Sequence, residues 1–225
     1  MAFSALTALS PLDGRYREKV APLRNFFSEF ALIRYRIHIE ARWLKALAAE
    51  PALSEVPPFS VTTQHAIDQI AAAFTEADAA EVKAIEARTN HDVKAIEYFL
   101  QQRLAGNAEV SQAAGFIHFA CTSEDINNLC HALMLKDAQE ADMLPALDAV
   151  VVRLTALAHE LADAPMLAHT HGQPATPTTL GKELANIVAR LKRARKALVA
   201  VRLTGKINGA VGNYNAHLAA YPDFD

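Results

Sequence analysis

Three short polar stretches hold the side chains able to move protons or bind charge. They are Thr89-Asn-His-Asp-Val-Lys94, Cys121-Thr-Ser-Glu-Asp-Ile-Asn127 and His169-Thr-His-Gly-Gln-Pro-Ala-Thr-Pro-Thr-Thr179. Imidazole titrates closest to neutrality, so His91, His169 and His171 are the candidates for acid–base work. Asn90, Asp92, Thr122 and Ser123 add hydrogen-bonding groups beside them. Each stretch interrupts a helical pattern at a helix start. Helix N-termini carry unpaired N–H groups and a positive dipole end, so three of them together suit a substrate rich in carboxylate or phosphate.

Two other chemistries compete for the same residues. His169 and His171 stand two apart, and an extended backbone would point both the same way as metal ligands. A hydrolytic centre needs three or more ligands, and no spacing to Cys121, His118 or His91 supplies them. Nucleophilic catalysis lacks a Gly-x-Ser-x-Gly elbow. Alone, each polar stretch also fits ordinary capping or a turn, which leaves a non-catalytic helical assembly module as a further reading.

The elements that must position these groups are helices. Ser28 caps a helix reaching about Ala49, with Phe30, Ile33, Ile37, Leu44 and Leu47 near helical spacing. A Pro-containing loop covers 51–60. Thr62 or Thr63 opens a second helix, 78–86 reads as a third, and Val93, Ile96, Leu100 and Leu104 mark a fourth. The Gly106–Ser111 stretch reads as a hinge, dividing an N-terminal helical domain (1–110) from the remainder of the chain (111–225). Thr122 and Asp125 have capping-box spacing. Pro145 should kink the helix they open or start a new segment. The stretch from His169 is too rich in Pro, Gly and Thr for a helix and reads as an extended loop. Thr176-Pro177 then reads as an N-cap and first helical residue. Beyond it Leu180, Leu184, Ile187, Leu191, Ala194, Leu198 and Val201 alternate in steps of four and three, a heptad seam. Arg190, Lys192, Arg193, Arg195 and Lys196 lie off that seam and read as a solvated face. Gly205, Gly209 and Gly212 mark a tightly turned or closely approached backbone.

Alanine and leucine dominate, aromatics are 7%, and hydrophobic residues are 52% of the 225, which favours an all-α fold with a sizeable core. A net charge of −3 gives no reason to expect nucleic acid. Cys121 and Cys130 fit no zinc spacing or disulfide framework, in keeping with a reducing, cytoplasmic setting. The first residues lack a basic signal region, and no apolar run is long enough to span a bilayer, so no membrane role is expected.

The stretches Thr122–Asn127 and His169–Thr179 resemble those of the adenylosuccinate lyases, in the fumarase/aspartase superfamily. Ser10-Pro-Leu-Asp-Gly-Arg-Tyr16, Thr89–Glu97 and Lys206-Ile-Asn-Gly-Ala-Val-Gly-Asn213 are similar to the longer bacterial branch of that family. The resemblance implies a small N-terminal helical domain followed by the first long helices of a helical bundle. It implies cleavage of adenylosuccinate to AMP and fumarate, and release of fumarate from the succinyl-carboxamide ribotide, without metal or organic cofactor. By the same resemblance His171 is the general acid, His91 supports it, and Asn90 and Asp92 contact substrate. Thr122 and Ser123 would bind the succinyl carboxylate, and Arg15 and Tyr16 the nucleotide phosphate. Whether His91 or His171 delivers the proton stays open, since both sit in suitable clusters. Family members are homotetramers with sites shared between subunits. The family's catalytic base is a serine in a Gly-Ser-Ser-x-Met-Pro-x-Lys-x-Asn-Pro loop, and no two serines are adjacent here. The chain is therefore expected to correspond to the N-terminal half and to be inactive alone.

Overall fold

The computed structural model describes residues 4–223. Its contacts divide the chain into two compact units, one of residues 1–136 with 204–225 and one of residues 137–203. Among the described residues no helix is long and apolar enough to cross a membrane.

The first unit is helical. After a turn-rich start come α1 (Arg24–Phe27), α2 (Glu29–Ala48), α3 (Val61–Ala72), α4 (Glu76–Thr89), α5 (Asp92–Leu104) and α6 (Ala108–Ala113). Then α7 begins at Ser123 and runs to Ala138, and a short α10 (Asn215–Ala220) lies near the end of the chain. Ser28 caps α2 as its sequence implies, its hydroxyl accepting from the Ala31 N–H. Ser60, rather than Thr62 or Thr63, caps α3, because its hydroxyl reaches the Thr63 N–H. The third helix is longer than 78–86, since Thr75 and Asp78 form a reciprocal capping box that starts it earlier. The Gly106–Ser111 stretch contains the cap Asn107 and the first residues of α6. Ile33, Ile37, Leu44, Ile67, Val82, Ile96, Phe99 and Leu100 form the main core. Tyr35, Val93, Ile126, Cys130 and Met134 form a second cluster, which seats the first half of α7.

In the second unit a π-helical turn (Gln139–Met143) leads into α8 (Leu144–Glu160). Pro145 explains the change of winding: it has no N–H to donate back along the helix, and the wider turn just before it accommodates the ring. The two strands β1 (Pro165–Thr170) and β2 (Gln173–Thr179) pair antiparallel, and α9 (Leu180–Val199) comes next. The stretch read as an extended loop is thus a hairpin. The Thr176-Pro177 cap is corrected as well, because both residues lie in β2 and Thr179 caps α9 through the Lys182 N–H. Helix α9 returns along α8: Gly181 meets Ala158 and Ala162 near the end of α8, and Arg195 pairs with Asp148 near its start at 2.7 Å. Within this unit Val188 and Val151 are buried, whereas the heptad residues Ile187, Leu198 and Val201 are exposed.

Candidate active site

In the first unit the chain reverses between α4 and α5. Asn90 takes a left-handed conformation (φ 52°) that ends α4, and His91 then caps α5, its Nδ1 accepting from the Lys94 N–H at 3.1 Å. Asp92 accepts from the Val93 N–H at 2.9 Å. These residues, with Lys83, Glu86 and Ala87, line a cleft of about 450 Å³.

Arg36 of α2 joins this stretch to the second one. Its Nη2 donates to Asp92 Oδ2 at 2.6 Å, and its Nε donates to Asn127 Oδ1, in the first turns of α7, at 2.9 Å. Arg36 is only 5% exposed. Partial burial pushes the Asp92 carboxyl up, but the Arg36 guanidinium and the Val93 N–H outweigh it, and the net shift is downward.

The start of α7 is anchored from two further sides. Asp125 is buried, and its Oδ2 accepts from the Thr122 N–H at 2.8 Å and from the Gly209 N–H at 3.2 Å. Its Oδ1 lies 2.7 Å from Lys206 Nζ, an ion pair by distance that is not aligned as a hydrogen bond. Asn128 exchanges two hydrogen bonds with the backbone of Lys206, at 2.8 and 2.9 Å. The glycine-rich 205–212 segment is therefore strapped to the first two turns of α7. Burial again favours the neutral Asp125 acid, and Lys206 with the two backbone N–H groups reverses the balance and lowers it. Only half of the expected capping box forms, because the Asp125 N–H goes to the Thr122 carbonyl.

The three helix starts differ in what they leave open. At α5, His91 and Asp92 occupy the Lys94 and Val93 N–H groups. At α9, the Leu180, Gly181 and Lys182 N–H groups go to Ala164, Leu161 and Thr179. At α7, no hydrogen bond among the described residues takes the Ser123 or Glu124 N–H. Of the three, α7 leaves the most donors for an anion, two among the described residues, against the Asp92 N–H at α5 and none of the first three at α9.

His171 lies in the second unit, at the tip of the hairpin. Thr170 pairs with Gln173, so His171-Gly172 is the two-residue turn, with φ of 51° and 76°. Positive φ at both positions is the type I′ geometry that matches strand twist, and glycine adopts it without strain. His169 sits in β1 opposite Pro174. The extended His-x-His arrangement that would aim both rings one way is therefore absent. Among the described residues no three His, Cys, Asp or Glu side chains are grouped to hold a metal ion. Arg15 and Tyr16 belong to the turn-rich start, with the guanidinium 4.6 Å from the Tyr16 ring centroid.

Sequence reasoning passed over Arg36 and Glu40. Glu40 is fully buried, with Oε1 2.6 Å from His118 Nδ1. Burial raises the Glu40 carboxyl against the pull of His118. Burial also opposes charging of His118, but the Glu40 carboxylate outweighs it and lifts the imidazole. A signal was available: Glu40 stands in the stripe Ile33, Ile37, Leu44, Leu47, where a core residue is expected.

Comparison with known proteins agrees with this architecture. The adenylosuccinate lyase of Haemophilus influenzae is 56% identical over 225 residues, covering all of this chain and 49% of that protein. That of Escherichia coli strain K12 is 53% identical with the same coverage. The chain spans about half the length of the curated relatives it matches. Among solved structures, the 3-carboxy-cis,cis-muconate lactonizing enzyme from Pseudomonas putida superposes with a TM-score of 0.68 at 26% identity, over 88% of this chain and 44% of that one. A fumarate lyase from Mesorhizobium sp. BNC1 shares the fold at 22% identity, with a TM-score of 0.68 over 87% of this chain and 44% of that one. A family model described as Lyase matches residues 14–224, and the chain belongs to that family.

Proposed function

We propose that this chain supplies substrate-binding and acid groups of an adenylosuccinate lyase. The reaction is a β-elimination. A base takes the proton from the carbon beside a carboxylate, the carbon–nitrogen bond breaks with its electron pair passing to nitrogen, and an acid protonates that nitrogen. Adenylosuccinate then yields AMP and fumarate, and the succinyl-carboxamide ribotide loses fumarate in the same way.

In this reading Ser123, Thr122 and the open N–H groups of α7 take the succinyl carboxylate, where preorganised donors hold the charge that develops. Asn90 and Asp92 contact substrate across the cleft beside His91. Arg15, with Tyr16, takes the nucleotide phosphate, which its planar fork fits. His171 is the general acid and His91 its support. The observation that carries the reading is the double grip of Arg36, which joins the His91–Asp92 stretch to the start of α7 behind one buried guanidinium.

The division into an N-terminal domain (1–110) and part of a bundle (111–225), a homotetramer with shared sites, and a cytoplasmic location accompany this reading. The exposed heptad face of α9 supports self-association. No family-type base loop occurs in these 225 residues, so we infer that they release no fumarate by themselves. The test is to mix the chain with the C-terminal half of the Haemophilus influenzae relative, made as a separate chain, and monitor fumarate release from adenylosuccinate. Activity in the mixture that disappears with His171→Ala is expected. Fumarate from the 225 residues alone overturns the need for the loop, and an active His171→Ala mixture removes His171 as the acid.

A further inference from the structure

Three side chains of α2 spaced four and three apart, Arg36, Glu40 and Trp43, lie along one side of the helix. Each grips α7 or the segment that delivers it. Arg36 holds Asn127, Glu40 Oε1 lies 2.6 Å from His118 Nδ1, and Trp43 Nε1 donates to the Phe119 carbonyl at 2.9 Å. Between those grips the backbone takes an uncommon path. His118 and Ala120 both have left-handed conformations, with φ of 63° and 58°. Residues with a Cβ resist that region, and such conformations persist where the surroundings over-determine them. Two residues after Ala120 the chain reaches Thr122, Ser123 and the open donors of α7.

Glu40 is a poor choice for stability alone. It occupies a core position between Ile37 and Leu44, it is fully buried, and its Oε2 has no hydrogen-bond partner among the described residues. A leucine there would continue the apolar stripe without burying a half-satisfied carboxylate. We propose that Glu40 is a positioning residue: through His118 it holds the left-handed 118–120 backbone, and so sets where the Ser123 and Glu124 N–H groups meet a substrate carboxylate. The inference deepens the lyase reading above and rests on it.

The test separates reach from charge. Glu40→Gln keeps an acceptor at the same reach without the charge. Glu40→Asp keeps the charge one methylene short of His118. Glu40→Leu removes both and suits the core. In each variant of the 225-residue chain, amide exchange is measured over Phe119–Asp125, and fumarate is titrated against the Ser123 and Glu124 amide signals.

Glu40→Gln is expected to stay near wild type. Glu40→Asp and Glu40→Leu are expected to exchange faster by about tenfold over 119–125, the factor that 1.4 kcal/mol makes, and to bind fumarate weaker by a similar factor. Exchange in α4 should stay unchanged, which marks the effect as local. Wild-type exchange in both Glu40→Asp and Glu40→Leu overturns the proposal. So does a Glu40→Gln variant that loosens while Glu40→Asp does not, since charge rather than reach would then matter. If fumarate moves no signal in the unaltered chain, the carboxylate site fails, and the exchange measurement alone decides whether Glu40 holds the backbone.

Discussion

Removal of the Arg36 guanidinium is the perturbation whose size the structure predicts best. Arg36→Met keeps most of the aliphatic stem and deletes both donors. The bond to Asn127 is neutral at the acceptor and contributes about 1 kcal/mol. The ion pair with Asp92 is asymmetric: Arg36 is 6% exposed by side chain, whereas Asp92 is 44% exposed. Breaking a fully buried pair costs roughly 3–5 kcal/mol. Here water can reach the carboxylate left behind, so the cost falls to about 1–2 kcal/mol, nearer the range of exposed pairs. The total is then about 2–3 kcal/mol, or a fall in melting temperature of roughly 4–12 °C for a chain of this size. Urea unfolding monitored by the fluorescence of Trp43, the single tryptophan, measures it in the unit that contains the pair. A double-mutant cycle with Asp92→Asn should return a coupling of about 1 kcal/mol or more. Full additivity of the two substitutions, or a loss under about 0.5 kcal/mol for Arg36→Met, refutes the claim that this side chain ties the two stretches together.

Two further outcomes test other parts of the structure. A Cβ on Gly181 would lie 2.4 Å from the Ala158 carbonyl and 2.6 Å from Ala162 Cα, both backbone atoms that cannot swing aside. Gly181→Ala should therefore destabilise the α8–α9 pair by about 2–3 kcal/mol in thermal unfolding, and an unchanged midpoint would contradict the close approach. The carboxyls of Asp92 and Asp125 are both held below their ordinary values by their cationic and N–H partners. The stability they contribute is present above about pH 4 and is lost as pH falls through the lowered folded-state values. Acid titration of Trp43 fluorescence should show a transition below that pH that becomes shallower in Asp92→Asn, and an unaltered profile would deny the linkage.

The helices that build the site were legible wherever apolar period and cap chemistry agreed, as at Ser28, and at the Asn90–Asp92 reversal. The departures have local causes. At Thr176-Pro177 the cap-like pair sits in a strand, because an edge strand tolerates a proline and a hairpin can satisfy the backbone that a loop would expose. His171-Gly172 has the φ > 0 pair of a two-residue turn, yet the flanking prolines and threonines read as irregular. At the three helix starts sequence shows which residues can cap, but not which N–H groups neighbouring carbonyls consume. That depended on Ala164 and Leu161 for α9 and on the His91 and Asp92 side chains for α5. Arg36 and Glu40 were missed for a related reason. Periodicity assigns a face to a charged residue only as an exception, and the partners that justify it lie 56 to 91 positions away.

The row of grips on α2 limits how the chain can vary in length. One residue inserted between Arg36 and Trp43 would rotate everything beyond it by about 100° and carry at least one anchor off the helix face that reaches Asp92, His118 and Phe119. The loop over 49–60 holds none of these contacts, and although Leu53, Val56 and Phe59 are buried, its exposed positions such as Pro51, Ala52, Ser54 and Glu55 can take a longer connection at little cost. Natural changes of length among related chains should therefore gather in that loop and spare the helix before it, which behaves as a ruler for the start of α7.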